Sequence, residues 1–369
     1  MTRESALRDR EFKRILLIKL SAVGDVIHTL PVLTRLRERY PDAQIDWVIT
    51  PACEDLVRWH PALDGVISYP RREAFGAKGL KMLRQIMGGR YDLVVDMHGQ
   101  LRTAALVLAS GAPVRIGFSR TREGAKYSYT HHIPVPSMDF HAADRNLWLG
   151  DLLGFPTDHP DFTIHTPPEA ELEADRTLAR IGYAGQPFAA MFPGTQWETK
   201  HWPVEGFVDV CRYLTRRGIK ILLAGAGRDQ IANDAVARAF PEATDICGQT
   251  SLAGLAAILR RSSLCVTNDS GPMHMAVALG RPLVSAFGPT SPVRTGPYAR
   301  PEAVVRTGVA CSPCYIRKTR NCPYGLRCLT ELSSEMMIDR IDQVLAMHSV
   351  GPEPTPPGLG LKQSTASAT

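Results

Sequence analysis

The pattern of this chain predicts an α/β protein of two domains, each a parallel sheet wrapped by helices, and three observations carry the prediction. At 369 residues the chain is too long for one ordinary core. Short apolar runs at 15–18, 91–96 and 188–192 alternate with segments at helical spacing, the βαβ succession of a parallel sheet. That succession breaks once, in Pro- and acid-rich sequence between Gly154 and Gln186 that includes a charged helix from Glu169 to Arg180. The expected organisation is a first domain over 1–165, a linker over 166–186 and a second domain over 187–332. A helix at 333–349 is placed to pack back on the first domain. From 350 to 369 Pro, Gly, Ser and Thr dominate, as in a disordered tail.

In the first half, the strand 15–18 precedes a helix whose inner face is Val32, Leu33, Leu36 and Tyr40. A strand at 44–49, a helical stretch at 53–59 and a strand at 66–69 follow, the last ended by Pro70. The basic segment 71–90 carries Leu80, Leu83 and Met87 at helical spacing, so an amphipathic helix with a cationic outer face is expected. Strands at 91–96 and 114–118 complete the series. The second half repeats it with strands at 188–192, 220–224, 263–267 and 283–287, and helices at 204–217, 230–240 and 275–279.

Composition narrows the function classes. With 44% hydrophobic and 22% charged residues, the chain is of globular type. No apolar run approaches the roughly 20 residues of a membrane span. Its first ten residues lack the apolar core of a signal peptide, which points to the cytoplasm. The net charge of +6 suggests an anionic partner: phosphorylated substrate, acidic membrane surface or nucleic acid. Nucleic acid is the least favoured, because the basic residues are dispersed along the chain without interleaved aromatics. Cys53, Cys211, Cys247 and Cys265 stand in apolar surroundings, as ordinary thiols of a reducing compartment do.

The chemistry is expected in the loops that follow strands. Residues 19–31, KLSAVGDVIHTLP, form a strand-to-helix turn at the carboxyl end of the first strand, where open α/β sheets bind ligands. There Asp25 is either a helix cap or a carboxylate presented to substrate, with Gly24 letting the substrate approach. In the second half, 192–203 (FPGTQWETKHWP) offers Thr195 and Lys200, a hydroxyl and an ammonium suited to a diphosphate. Residues 224–229 (AGAGRD) make a glycine turn short of a full dinucleotide fingerprint. Residues 268–274 (NDSGPMH) place a carboxylate and an imidazole beside helix-start N–H groups. Each alone reads equally as a solvated lysine, a turn or an N-cap. Three on one sheet edge describe a nucleotide-diphosphate site.

In the order GDVIHTLP (24–31), KHWP (200–203), NDSGPMH (268–274) and FGPT (287–290), these motifs resemble the bacterial heptosyltransferases of glycosyltransferase family nine, over roughly residues 14–348. The resemblance implies a GT-B architecture, two Rossmann-like domains facing across a cleft. It implies inverting transfer, without a catalytic metal, from ADP-heptose to the phosphorylated inner core of lipopolysaccharide, with Kdo-lipid A or heptosyl-Kdo as acceptor, at the inner face of the cytoplasmic membrane. Carried over by position, Asp25 is the general base, and Lys200 and Thr195 meet the diphosphate or sugar. Asp269 holds the sugar hydroxyls, Ser270, Gly271 and His274 line the diphosphate, and Asp229 meets the ribose. Arg102 and Arg120, after strands of the first domain, are the expected acceptor contacts; Arg71, Arg72, Arg122 and Lys126 read as a solvated face. The rivals are another nucleotide-sugar transferase or epimerase, and a non-catalytic nucleotide-binding protein on the same scaffold.

Cys311, Cys314, Cys322 and Cys328 have the spacing C-x2-C-x7-C-x5-C. That is compatible with a structural zinc, though the second pair is not a tight C-x2-C, and reduced thiols or disulfides stay open. The loop lies far along the chain from the substrate motifs, so a catalytic metal is not expected there.

Overall fold

The computed structural model describes residues 5–349; the tail expected at 350–369 lies outside the described residues. The first half forms a sheet of β1 (Arg14–Ile18), β2 (Gln44–Ile49), β3 (Gly65–Ser68), β4 (Leu93–Asp96), β5 (Val114–Phe118) and β6 (His131–Ile133), in the order β3-β2-β1-β4-β5-β6. The second half repeats it with β7 (Phe188–Phe192), β8 (Lys220–Leu223), β9 (Thr244–Asp245), β10 (Leu264–Asn268), β11 (Leu283–Ala286) and β12 (Val304–Val305), in the order β12-β11-β10-β7-β8-β9. Every neighbouring pair is parallel. Each sheet therefore starts at its centre, winds to one edge and crosses back past the start. The crossover leaves a crevice at the carboxyl ends of β1 and β4, and of β7 and β10.

Burial explains why the central strands are legible. In β1, Ile15 and Leu17 face one core while Leu16 and Ile18 face another, so both faces must be apolar. The edge strands β6, β9 and β12 are only two or three residues long, too short to set up a pattern, and the sequence reading misses them. The helices Leu101–Ala109, Ala142–Leu147 and Leu252–Arg260 are likewise unanticipated. The helix expected at 53–59 is only the turn Pro51–Glu54, and that expected at 275–279 begins earlier, at Gly271.

Two assignments of the chain change. The helix Pro168–Arg180, expected within the linker, packs along Leu252–Arg260, where Glu171 and Asp175 pair with Arg260 and Arg261 at 2.5–3.0 Å. The helix Ser334–Ser349, expected to return to the first domain, instead buries Met337, Ile341 and Val344 with Val210, Val284 and Val305 on the outer face of the second sheet. That face would otherwise be half bare, since Val204–Arg216 covers only part of it.

Candidate active site

The loops leaving β1, β7, β8 and β10 meet in one cleft of about 450 Å³ between the two sheets, within the range of small-molecule sites. Asp25 is the third residue of the helix Val23–Ile27. Its carboxylate accepts the Ala22 N–H at 3.3 Å and lies 3.8 Å from Lys19 Nζ, yet stays half-exposed toward the cleft. The cap and the presented carboxylate are thus one arrangement: one oxygen steadies the turn and the group remains accessible. Lys19 donates to the Met97 carbonyl at 2.8 Å, which joins the ends of β1 and β4 beneath Asp25.

Opposite, Lys200 Nζ is 2.6 Å from Asp269 Oδ2, both nearly buried. The Thr290 hydroxyl donates to the same oxygen, so the FGPT turn orients the carboxylate. Asn268 is fully buried and acts as a clamp, donating to the Pro193 carbonyl at 2.7 Å and accepting the Trp202 N–H at 3.0 Å. Its one amide ties both ends of the 193–203 loop to the β10 end, a role invisible in the linear motif. Lys200 also lies 4.5 Å over the Trp197 ring, and Arg317 4.4 Å over it.

The two halves touch through the helix starts themselves. Helix Val23–Ile27 packs on helix Gly271–Ala278, and a Cβ on Gly24 would fall 2.4 Å from the His274 ring. A Cβ on Gly271 would fall 2.9 Å from Val23. Gly24, expected to admit substrate, therefore admits the other domain. His274 Nδ1 and His28 Nε2 are 3.1 Å apart across this contact, with His141 stacked edge-on against His28. Burial lowers all three imidazoles, His274 to about 4. His274 is hence a neutral group at ordinary pH and offers a hydrogen bond rather than a charge.

Of the anticipated residues, Asp25, Thr195, Lys200, Asp229, Asp269, Ser270, Gly271 and His274 all line the cleft. Arg102 and Arg120 do not. Arg102 turns to the Gln100 side chain, and Arg120 is exposed outside the cleft. The first-domain cations that do line it are Arg122, read as solvated surface from the sequence, and Arg145, which the sequence reading missed. Arg228, Arg294 and Arg317 join from the second half. With Lys200, six cations face three carboxylates, and the cleft carries excess positive charge suited to a polyanion. Each of these five arginines stands alone in its loop or short helix with no periodicity to mark it, so no sequence signal separated them from surface residues.

The cysteine loop, distant along the chain, folds back to the cleft. Cys314 and Tyr315 N–H groups donate to the Pro289 carbonyl at 3.0 and 2.8 Å, and Thr199 bonds the Ile316 carbonyl. This brings Tyr315 and Arg317 into the cleft wall, Tyr315 beneath Arg294. Cys311, Cys314, Cys322 and Cys328 all line one cavity of about 90 Å³. Among the described residues no three His, Cys, Asp or Glu side chains are grouped closely enough to hold a metal ion.

Comparison with known proteins adds relatives. Residues 80–324 match the family model of glycosyltransferase family 9 (heptosyltransferase). Lipopolysaccharide heptosyltransferase 1 of Pseudomonas aeruginosa is 31% identical over 325 residues, covering 84% of this chain and 88% of the relative. The crystal structure of a family 9 glycosyl transferase from Veillonella parvula superposes with a TM-score of 0.80 at 25% identity, over 92% of this chain and 99% of that one. An Escherichia coli heptosyltransferase with ADP-2-deoxy-2-fluoro heptose superposes with a TM-score of 0.66 at 27% identity, over 89% of this chain and 99% of that one.

Proposed function

This chain belongs to glycosyltransferase family 9, the heptosyltransferases, and on that premise we propose that it transfers heptose from ADP-L-glycero-D-manno-heptose to the Kdo-lipid A or heptosyl-Kdo inner core of lipopolysaccharide. The observation that carries the reading is the apposition of Asp25 on one domain with Lys200, Asp269 and the start of helix Gly271–Ala278 on the other, in a cleft rich in arginine. The ADP-sugar analogue held by the Escherichia coli relative supports the donor.

In this reading Asp25 takes the proton of the acceptor hydroxyl as its oxygen attacks the anomeric carbon from the face opposite the diphosphate, inverting that centre. The anomeric C–O bond breaks and its electron pair leaves with ADP. The helix-start amides, Lys200 and the second-domain arginines stabilise the charge growing on the departing phosphate, so the step asks for no metal. Asp269 is held by Lys200 and Thr290 with its remaining acceptor capacity directed to sugar hydroxyls. Arg122 and Arg145 replace Arg102 and Arg120 as the acceptor-phosphate contacts. Closure of the two domains keeps water from the activated sugar. On the same premise the site of action is the cytoplasm, at the membrane's inner face. Among the described residues no helix is long and apolar enough to cross a membrane.

The test is Asp25→Asn. It is expected to fold normally and keep ADP affinity by calorimetry while kcat falls on the order of 10²-fold or more. Near-normal turnover would remove Asp25 from the mechanism. A panel of nucleotide sugars, read by ADP or UDP release, tests the donor.

The cysteine loop is proposed to take a structural zinc. Four thiols around one small cavity are a soft donor set, and they would have to draw inward to reach ligand distance.

A further inference from the structure

We propose that the outer face of helices Ala77–Gly88 and Leu101–Ala109, with the adjoining loop at Tyr127, docks on an anionic lipid bilayer. The helix Leu101–Ala109 buries Thr103, Ala104, Leu106 and Val107 against the first sheet. Its opposite side is Leu101, Ala105 and Leu108, all exposed and all apolar. A surface helix ordinarily turns polar residues outward, so this stripe is uncovered apolar surface. Its neighbours extend it. Met82 and Ile86 of helix Ala77–Gly88, Leu106 and Val107, and Ala125 share one core cluster, which sets the three elements side by side. Along that side Leu80 and Met87 are exposed, Phe75 is fully exposed, and Tyr127 is 83% exposed.

The charge around these side chains selects the partner. Residues 71–128 hold eleven Lys and Arg against four Asp and Glu, a surplus of seven where the whole chain has only +6. Nine of the eleven are exposed; Arg115 turns inward to the Ser128 and Ala112 carbonyls, and Arg102 is half-buried against the Gln100 side chain. The four acids do little to offset them there. Asp96 is buried, Asp92 accepts the Lys13 and Arg14 N–H groups, Glu73 pairs with Lys78, and Glu123 accepts the Leu101 N–H. Lys81 and Arg84 stand outward on helix Ala77–Gly88, and among the described residues no carboxylate lies at salt-bridge distance from either. A soluble polyanion would satisfy these cations but leave Phe75, Leu101 and Leu108 in water. An anionic bilayer takes both, cations at the headgroups and apolar side chains at the acyl boundary.

The face borders the cleft. Helix Leu101–Ala109 starts at the carboxyl end of β4, and Arg122, which lines the cleft, donates its N–H to the Gly99 carbonyl. That a docked molecule would receive a lipid-carried acceptor there rests on the function proposed above; the docking surface itself does not.

The full chain is mixed with phosphatidylethanolamine vesicles containing phosphatidylglycerol, or with phosphatidylcholine vesicles, and sedimented across a salt series. Binding to the anionic vesicles alone, weakening with salt, is expected. The triple variant Phe75→Ser, Leu101→Ser, Leu108→Ser and the double variant Lys81→Glu, Arg84→Glu should each lower partitioning at least about tenfold. Both should keep the wild-type melting temperature, ADP affinity and transfer to a soluble, de-acylated acceptor. No binding of wild type to anionic vesicles at low salt would overturn the proposal. So would loss in the charge variant with none in the apolar variant, which would reduce the face to adsorption of any polyanion. Vesicle binding by a chain that transfers no heptose would retire the enzymatic reading and leave this one standing.

Discussion

Gly24→Ala asks whether the domain contact seen here governs turnover. Gly24 lies inside the helix Val23–Ile27 with an ordinary backbone conformation, so helix propensity alone favours alanine by about 0.5–1 kcal/mol. Against that, the new Cβ would stand 2.4 Å from His274 Cδ2 and 2.9 Å from Nε2. Restoring an ordinary van der Waals separation requires the ring or the whole helix to retreat by roughly 1 Å. The ring is not free to do so, because His274 is buried and its Nδ1 meets His28 Nε2 at 3.1 Å. Overpacking of this kind costs about 1–3 kcal/mol. The net is about 1–2 kcal/mol against the closed pair of domains, or roughly 5- to 30-fold in kcat/KM if closure precedes transfer. Because the helix itself is not weakened, the melting temperature should hardly fall. Small-angle scattering should show a larger radius of gyration in the presence of ADP. Gly271→Ala, whose Cβ would meet the Val23 side chain at 2.9 Å, should show the same effect more weakly. Wild-type kcat/KM together with an unchanged scattering profile for Gly24→Ala would refute the reasoning.

Lys200→Ala should weaken ADP binding and slow transfer; it also leaves Asp269 buried without its cation, so calorimetry should register a loss of stability of about 3–5 kcal/mol as well. Unchanged ADP affinity would confine Lys200 to the sugar or to the transition state. Stability should depend on pH through the interfacial imidazoles. The folded-state pKa of His274 is about 4, below the ordinary 6.5, so the unfolded chain takes up the proton first. Its contribution is present in full above pH 6.5 and is lost as pH falls toward 4, up to roughly 3 kcal/mol. A melting temperature flat between pH 7 and 4.5 would contradict this. For the cysteine loop, about one equivalent of zinc per chain is expected by elemental analysis, with Cys314→Ser and chelation each lowering the melting temperature. Metal-free protein indifferent to chelator would leave the loop to its bonds with Pro289 and Thr199.

The α/β class and the central strands are legible in the sequence, because a strand buried on both faces has to be a continuous apolar run, as in residues 15–18 and 188–192. The sequence also marked Asp25, Thr195, Lys200, Asp229 and Asp269, because parallel strands deliver their carboxyl-end loops to one crevice and these residues sit in those loops. Three-dimensional packing settled which arginines enter the cleft. Arg122 and Arg145 reach it and Arg102 and Arg120 do not, a matter of how the loops and short helices after the strands lie over the sheet edge, and no local period encodes that. It decided that the cysteine loop borders the cleft and that the helix Ser334–Ser349 covers the second sheet, since both depend on which surface remained uncovered after the sheets formed. It also gave Gly24 its meaning. A glycine in a strand-to-helix turn says that something approaches closely; that the something is His274, about 250 residues away, follows from the packing of two domains and from nothing near Gly24 in the chain.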